Sequence, residues 1–331
     1  MKKVKWGIIS TADIGIKKVI PALQASALCE VVAIASRNLE TAGNAAALLD
    51  IPRFYGSYEA LLADAEIDAV YISLPNHLHV ALTIKALNAG KHVLCEKPIA
   101  LSAQEAAALL EVCQQKPHLK VMEAFMYRFH PQWLLVKKLL ADGVIGELKS
   151  IHSTFSFYND DPTNIRNKKE MGGGSVMDIG CYCISLSRWI FGQEPHSVIS
   201  LVDNDPAFNI DRQVSGILKF DAGSASFTCA TQMAPNQRAH IMGTTGHIEI
   251  EMPFSPAPDQ PARIWLRNQY DDPQLLQSEV ADQYRMQADF FANAVICQTD
   301  VPTNLADALN NMKVIDAVLE SGAAGGLVQL A

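Results

Sequence analysis

The first 123 residues alternate short apolar runs with helix-length segments, and this alternation limits the possible folds more than any other feature. Val4 to Ile9, Val31 to Ala35, Asp68 to Leu74, Val93-Leu94-Cys95 and Lys120-Val121-Met122 are the apolar runs. Between them, Asp13 to Ala25, Leu39 to Leu49, Tyr58 to Leu62, His77 to Asn88 and Ala103 to Gln114 read as helices. Runs this short, without strict polar alternation, suit strands buried on both faces, and helical crossovers between them make the sheet parallel. The expectation is an α/β domain whose ligands bind beyond the carboxyl ends of its strands.

Past residue 124 the pattern changes. Gln132 to Leu140 is helical and Glu147 to Phe157 reads as a strand. A polar loop over 159–170 leads into Met171-Gly172-Gly173-Gly174 and an apolar helix from Ser175 to about Phe191. Several strands follow between Val198 and Leu266, among them Val214 to Phe220, Ala225 to Thr231 and His247 to Glu251. With no long helix among them, their sheet is expected to be antiparallel or mixed. Helices over Ala281 to Val295 and Leu305 to Glu320 finish the chain. A chain of 331 residues exceeds what one core organises, so two domains are expected, 1–123 and 124–331.

The bulk numbers exclude some partners. A net charge of −8 disfavours nucleic acid and gives no basic patch for anionic lipid. The seven cysteines contain no C-x-x-C pair and no metal-type spacing, so no metal is expected and the thiols read as reduced, in a cytoplasmic protein. The start, Met1-Lys2-Lys3-Val4, has no secretory h-region, and no apolar run nears the roughly 20 residues of a membrane span.

The first strand–turn–helix reads Gly7-Ile8-Ile9-Ser10-Thr11-Ala12-Asp13-Ile14-Gly15. A dinucleotide fingerprint would place glycines at 10, 12 and 15, and here they are Ser10, Ala12 and Gly15. Small residues still admit a pyrophosphate at the helix N-terminus, so Ser10, Thr11, Ala12 and Ile14 are candidate cofactor contacts. The second strand runs out at Ser36-Arg37, where an acidic residue would grip the ribose diol of NAD. A hydroxyl and a guanidinium suit a 2′-phosphate instead, which favours NADP over NAD. Leu74, Pro75 and Asn76 end the third strand on the nicotinamide side. His77 and His79, two apart on a helix, do not face each other and make no metal pair.

Lys97 sits where His92-Val93-Leu94-Cys95 runs out through Glu96 into Pro98. Asp178 and Tyr182, four apart on the apolar helix, share a face. A lysine, a carboxylate and a phenol converging on a nucleotide cleft form a proton-transfer set suited to hydride chemistry at a hydroxyl or carbonyl. Either Tyr182 exchanges the proton, with the Lys97 ammonium favouring its phenolate, or Lys97 does so and Tyr182 orients the substrate. Asp178 can accept from a substrate hydroxyl or pair with Lys97.

With Gly15, Pro75-Asn76, His79, Ala89-Gly90-Lys91-His92-Val93, Glu96-Lys97-Pro98 and Gly172-Gly173-Gly174…Asp178-Ile179-Gly180-Cys181-Tyr182 assembled, the chain resembles the Gfo/Idh/MocA oxidoreductases along essentially its whole length. Trp6 to Ala12 is similar to the branch of dihydrodiol and sugar dehydrogenases, where the first fingerprint glycines are often replaced. The resemblance implies a Rossmann domain, a C-terminal α+β domain with a large, mostly antiparallel open sheet, and a homodimer or homotetramer formed through that sheet. It implies NAD(P)-dependent oxidation of a secondary alcohol on a sugar, polyol or related small molecule, or the reverse reduction. It places His79 and Glu96 with the cofactor residues, gives Pro98 a turn-setting role through a cis bond, and puts Arg128 and His130 at the substrate pocket, with Arg166 within reach. Rival readings are a reductase of nucleotide-linked keto sugars or cyclic diols and dienes, and an NADP(H)-sensing regulator without catalysis.

Overall fold

The computed structural model describes residues 2–268 and 271–330. The chain divides into two compact units, Met1–Met126 with Asp282–Leu309, and Tyr127–Ala281 with Asn310–Ala331. The division falls close to the change in sequence texture, and residues 282–309 return to the first unit.

The first unit is built on six strands: β1 (Val4–Ile9), β2 (Cys29–Ala35), β3 (Arg53–Tyr55), β4 (Ala69–Ile72), β5 (His92–Cys95) and β6 (Val121–Glu123), in the order β3-β2-β1-β4-β5-β6. All their pairings are parallel. The crossovers carry helices α1 (Ile20–Gln24), α2 (Leu39–Leu48), α3 (Tyr58–Leu62), α4 (His79–Asn88) and α5 (Ala103–Gln114). This is the doubly wound sheet that the alternation predicts. Its strand order reverses between β1 and β4, which opens a crevice at their carboxyl ends. The sequence reading omits β3, a three-residue edge strand with only partial burial and no apolar period. Trp6, Ile8 and Ile9 are wholly buried. The Trp6 ring lies 5.3 Å from that of Phe291, so the late segment 282–309 covers part of this sheet.

The second unit carries a nine-stranded sheet: β7 (Leu148–Tyr158), β8 (Ser197–Asn204), β9 (Asp211–Lys219), β10 (Ser224–Ala230), β11 (Gln232–Gly243), β12 (Gly246–Ile250), β13 (Arg263–Asn268), β14 (Gln274–Gln277) and β15 (Val328–Gln329). The order is β14-β13-β12-β11-β7-β10-β9-β8-β15, antiparallel except where β10 runs parallel to β7. Burial alternates with period two: Ile151, Ser153, Val214, Leu218, Phe227, Cys229, Ile241 and Ile248 are buried, while Ile199, Leu201 and Ile217 are exposed. Helix α6 (Pro131–Ala141) precedes β7, α7 (Cys181–Phe191) follows it, and α8 (Gln283–Cys297) and α9 (Leu305–Ala324) come late in the chain. Among the described residues no helix is long and apolar enough to cross a membrane.

Candidate functional site

The turn after β1 explains how serine replaces a fingerprint glycine. Ser10 has φ +102°, a conformation that side chains rarely adopt. Its Oγ accepts the Ala12 N–H at 3.1 Å and its own N–H donates to the Ala35 carbonyl at 3.0 Å, so local bonds offset the strain. Thr11, Ala12 and Ile14 follow, all partly exposed. Gly15 opens a wide turn, Gly15–Val19, that runs into α1. A Cβ on Gly15 would stand 3.4 Å from Ser73 Oγ, so the helix start lies beside the β4 end. The result is a short turn feeding a helix N-terminus, whose N–H groups and dipole favour an anion.

At the end of β2, the Ser36 N–H donates to the Tyr55 carbonyl at 3.1 Å. Asn38 caps α2, accepting from the Thr41 N–H at 3.0 Å. Arg37, between them, is exposed.

The ends of β4 and β5 are tied together. The Glu96 N–H donates to the Ile72 carbonyl at 2.9 Å, and the Tyr71 hydroxyl donates to Glu96 Oε1 at 2.6 Å. His79 is wholly buried, with Nδ1 2.7 Å from the Pro98 carbonyl and Nε2 2.8 Å from the Leu74 carbonyl. Burial lowers its pKa, against the pull of the two carbonyls. His79 therefore spans the turn after β4, with Leu74, Pro75 and Asn76, and the turn after β5, where the Lys97–Pro98 bond is cis. Glu123 Oε1 accepts the Ile99 N–H at 2.7 Å and fixes the exit of that turn. Glu96 and Lys97 are half-buried there.

In the second unit, Gly172 and Gly174 have φ +77° and +110°. A Cβ on Gly173 would collide with the Arg166 carbonyl, and the Gly174 N–H donates to that same oxygen at 2.9 Å. The glycine run thus lies flat against the loop carrying Arg166. Arg166 Nε donates to Asp178 Oδ2 at 2.7 Å, joining two of the expected substrate residues. Asp178 sits in a wide turn, Val176–Gly180, whose side-chain bonds come from β9: Asp211 Oδ2 accepts the Ser175 hydroxyl at 2.8 Å and the Val176 N–H at 2.7 Å. Burial pushes the Asp211 carboxyl up, opposed by these bonds. Tyr182, on α7, is buried among the rings of Tyr127, Phe155 and Phe254 at 5.8, 5.6 and 5.4 Å.

Arg128 and His130 face inward. Arg128 Nη2 donates to Ser185 Oγ at 2.7 Å, and its guanidinium lies 5.6 Å from the Trp189 ring centre. His130 is wholly buried and caps α6, its Nδ1 accepting the Gln132 N–H at 3.2 Å. Burial lowers its pKa to about 4, so the ring is neutral at pH 7. Both side chains are engaged in packing the second unit.

Four side chains in these turns were not singled out in the sequence. Tyr71 and Tyr284 neighbour Glu96, and burial followed by that carboxylate raises both phenols. Asp211 and Phe254 support the Tyr182 helix. Tyr71 lies inside an apolar strand and Asp211 opens another, so neither carries a local signal of its contact.

Comparison with known proteins agrees with this geometry. Residues 4–125 match the oxidoreductase family with an NAD-binding Rossmann fold, and residues 133–249 match the GFO/IDH/MocA C-terminal domain. An uncharacterised oxidoreductase of Rhizobium meliloti is 43% identical over 330 residues, 98% of each chain. The D-xylose 1-dehydrogenase (NADP(+)) 2 of Haloferax volcanii is 38% identical over 328 residues, 98% of this chain and 99% of that one. A solved 3-ketoreductase of Actinomadura kijaniata, in complex with NADP and TDP-benzene, superposes with TM-score 0.92 at 30% identity, covering 97% of this chain and 98% of that one. Matched across both units, the chain belongs to the Gfo/Idh/MocA oxidoreductases.

Proposed function

We propose that this protein is an NADP-preferring oxidoreductase that transfers a hydride between the nicotinamide and a secondary alcohol or carbonyl of a sugar, polyol or related small molecule. The observation that carries the reading is the turn after β5: Lys97, half-buried at the carboxyl edge of a parallel sheet, beside Glu96 held by Tyr71. The first unit fits a dinucleotide. Ser10, Thr11, Ala12 and Ile14 form the phosphate turn, Gly15 opens the helix behind it, and Ser36 and Arg37 offer donors to a 2′-phosphate. Leu74, Pro75, Asn76 and Glu96 flank the nicotinamide half, and His79 holds the two turns together. When bound, the cofactor supplies the hydride acceptor or donor.

This chain's residues manage the proton and the substrate. Tyr182 exchanges the hydroxyl proton; a phenol that titrates near ~10 in water needs a neighbouring cation to do so near neutrality. Lys97 is the cation assigned that part. Asp178, held by Arg166, accepts from a substrate hydroxyl. Arg128 and His130 stand behind the pocket, in the packing of the second unit, and support it indirectly. The likeness to the ketoreductase favours a second substrate class, nucleotide-linked keto sugars. The exposed face of the nine-stranded sheet, with Ile199, Leu201 and Ile217, is assigned to a second copy of the chain, and the free thiols suit the cytoplasm.

The test is a fluorescence titration with NADPH and NADH, followed by turnover on a panel of aldoses, polyols and keto sugars. NADPH is expected to bind at least ~10-fold more tightly, about 1.4 kcal/mol, and to exchange hydride with a member of the panel. Binding of neither nucleotide, once cofactor carried through purification is excluded, would overturn the reading.

A further inference from the structure

The end of β2 does not stand alone. Ala35 pairs with Tyr55 on β3, and the Ser36 N–H donates to the Tyr55 carbonyl. A Cβ on Gly56 would come within 3.2 Å of Leu39 Cβ, so residues 55–58 pass directly over residues 36–39. Ser57 caps α3, its Oγ accepting the Ala60 N–H at 3.2 Å, which makes Tyr58 the first helical residue. The half-buried Tyr58 side chain lies close enough to Arg37 for the guanidinium to act on its phenol. We propose that Tyr58 is a determinant of NADP specificity, donating its phenolic hydrogen to the 2′-phosphate beside Ser36 and Arg37. The inference rests on the cofactor site proposed above and adds a residue to it.

The donor count leads to this assignment. A guanidinium only donates, so towards Arg37 the phenol oxygen can only accept. The phenol's own hydrogen remains to be donated elsewhere. Burial raises the phenol above its ordinary value, against the guanidinium, so it keeps that hydrogen throughout the physiological range. Two charged groups act on the phenol: Arg37 and Glu59 on α3. Glu59 pairs with Lys85 at 2.8 Å, which leaves Arg37 and the Tyr58 and Ser36 hydroxyls to an incoming anion. A phosphate dianion has acceptor sites for all three, and its bonds are charge-assisted. The ribose diol of NADH offers neither the charge nor the extra acceptors. Removing one hydroxyl should therefore cost NADP far more than NAD.

The experiment is calorimetric titration of the full chain and its Tyr58→Phe, Arg37→Ala and doubly substituted variants with NADPH, NADH and 2′,5′-ADP. Phenylalanine keeps the ring and its packing, and circular dichroism checks the fold. Tyr58→Phe is expected to weaken NADPH and 2′,5′-ADP by roughly five- to tenfold and NADH by less than about twofold. In the Arg37→Ala background the same change should do much less, because the two groups act on one phosphate. Equal weakening of NADPH and NADH by Tyr58→Phe, or no change in either, overturns the assignment. If Arg37→Ala erases the NADPH preference while Tyr58→Phe does not, only the tyrosine's part fails. If Arg37→Ala leaves the preference intact, the phosphate site at the β2 end fails with it.

Discussion

The turn that carries Lys97 and the helix that carries Tyr182 are held in opposite ways. Around Lys97, backbone groups do most of the holding: the Glu96 N–H on the Ile72 carbonyl, His79 between two carbonyls, and the Ile99 N–H on Glu123. Around Tyr182, side chains from distant segments hold the helix: Asp211 on the start of the turn before it, and Phe155 and Phe254 on the phenol ring. A turn built on a parallel sheet inherits its position from strand order. A helix anchored by side chains owes its position to a few residues, and one substitution can release it.

Direct removal of the chemistry tests this contrast most strongly. Lys97→Ala and Tyr182→Phe are each expected to lower kcat by roughly 10²–10⁴-fold, the scale of general acid–base catalysis. Their cofactor affinities should separate. Lys97 lies in the turn proposed to hold the cofactor, so its loss should also weaken NADPH, whereas Tyr182→Phe should leave the NADPH Kd within about twofold. Steady-state kinetics with fluorescence titration reads both. Equal loss of NADPH binding in the two variants would erase the distinction between the turns.

A smaller effect is expected at Asp211. Alanine there strands the Ser175 hydroxyl and the Val176 N–H, both of which lie in wholly buried residues. The expected cost is about 2–3 kcal/mol by urea unfolding. Asparagine keeps one carbonyl oxygen and should cost less than half of that. The Asp211→Ala helix should also present Asp178 poorly, raising KM for the substrate while the NADPH Kd holds. A variant as stable as the parent would mean that the glycine run alone sets the helix start.

The same contrast explains what could be read from the sequence. Strand spacing finds five of the six strands but not their order, and Lys97, Asn76 and Ser36 fall just past strand ends because β5, β4 and β2 end there. The edge strand β3 escaped because Arg53-Phe54-Tyr55 has no burial period. The helical pattern of residues 281–295 predicts a helix but not which sheet it covers; the Trp6–Phe291 contact decides that. At Ser10 the sequence shows only a missing glycine. The compensating bond from Ala12 to the serine's own Oγ exists once the turn is formed. Asp211 is the clearest case, since a carboxylate at the start of a strand reads as surface until its partner, 35 positions earlier at Val176, is known.

His130 gives the smallest and most discriminating test, because the resemblance makes it a pocket residue and the structure makes it a helix cap. As a cap, its Nδ1 must accept the Gln132 N–H, which requires a neutral ring. Burial lowers its pKa from 6.5 to about 4 in the folded protein. Between these values the unfolded chain binds a proton at this position that the folded chain refuses. Stability is therefore fully present above pH ~6.5 and declines as the pH falls towards ~4, with a slope of at most about 1.4 kcal/mol per pH unit. Half-buried His92, also lowered to about 4, contributes in the same window. His130→Asn keeps a capping acceptor and does not titrate, so its unfolding free energy should fall less steeply from pH 6.5 to 4, while the His92 share remains. Its KM for the sugar substrate should stay within about twofold of the parent. An unchanged pH slope together with a KM raised tenfold would return His130 to the substrate pocket and remove the cap from its account.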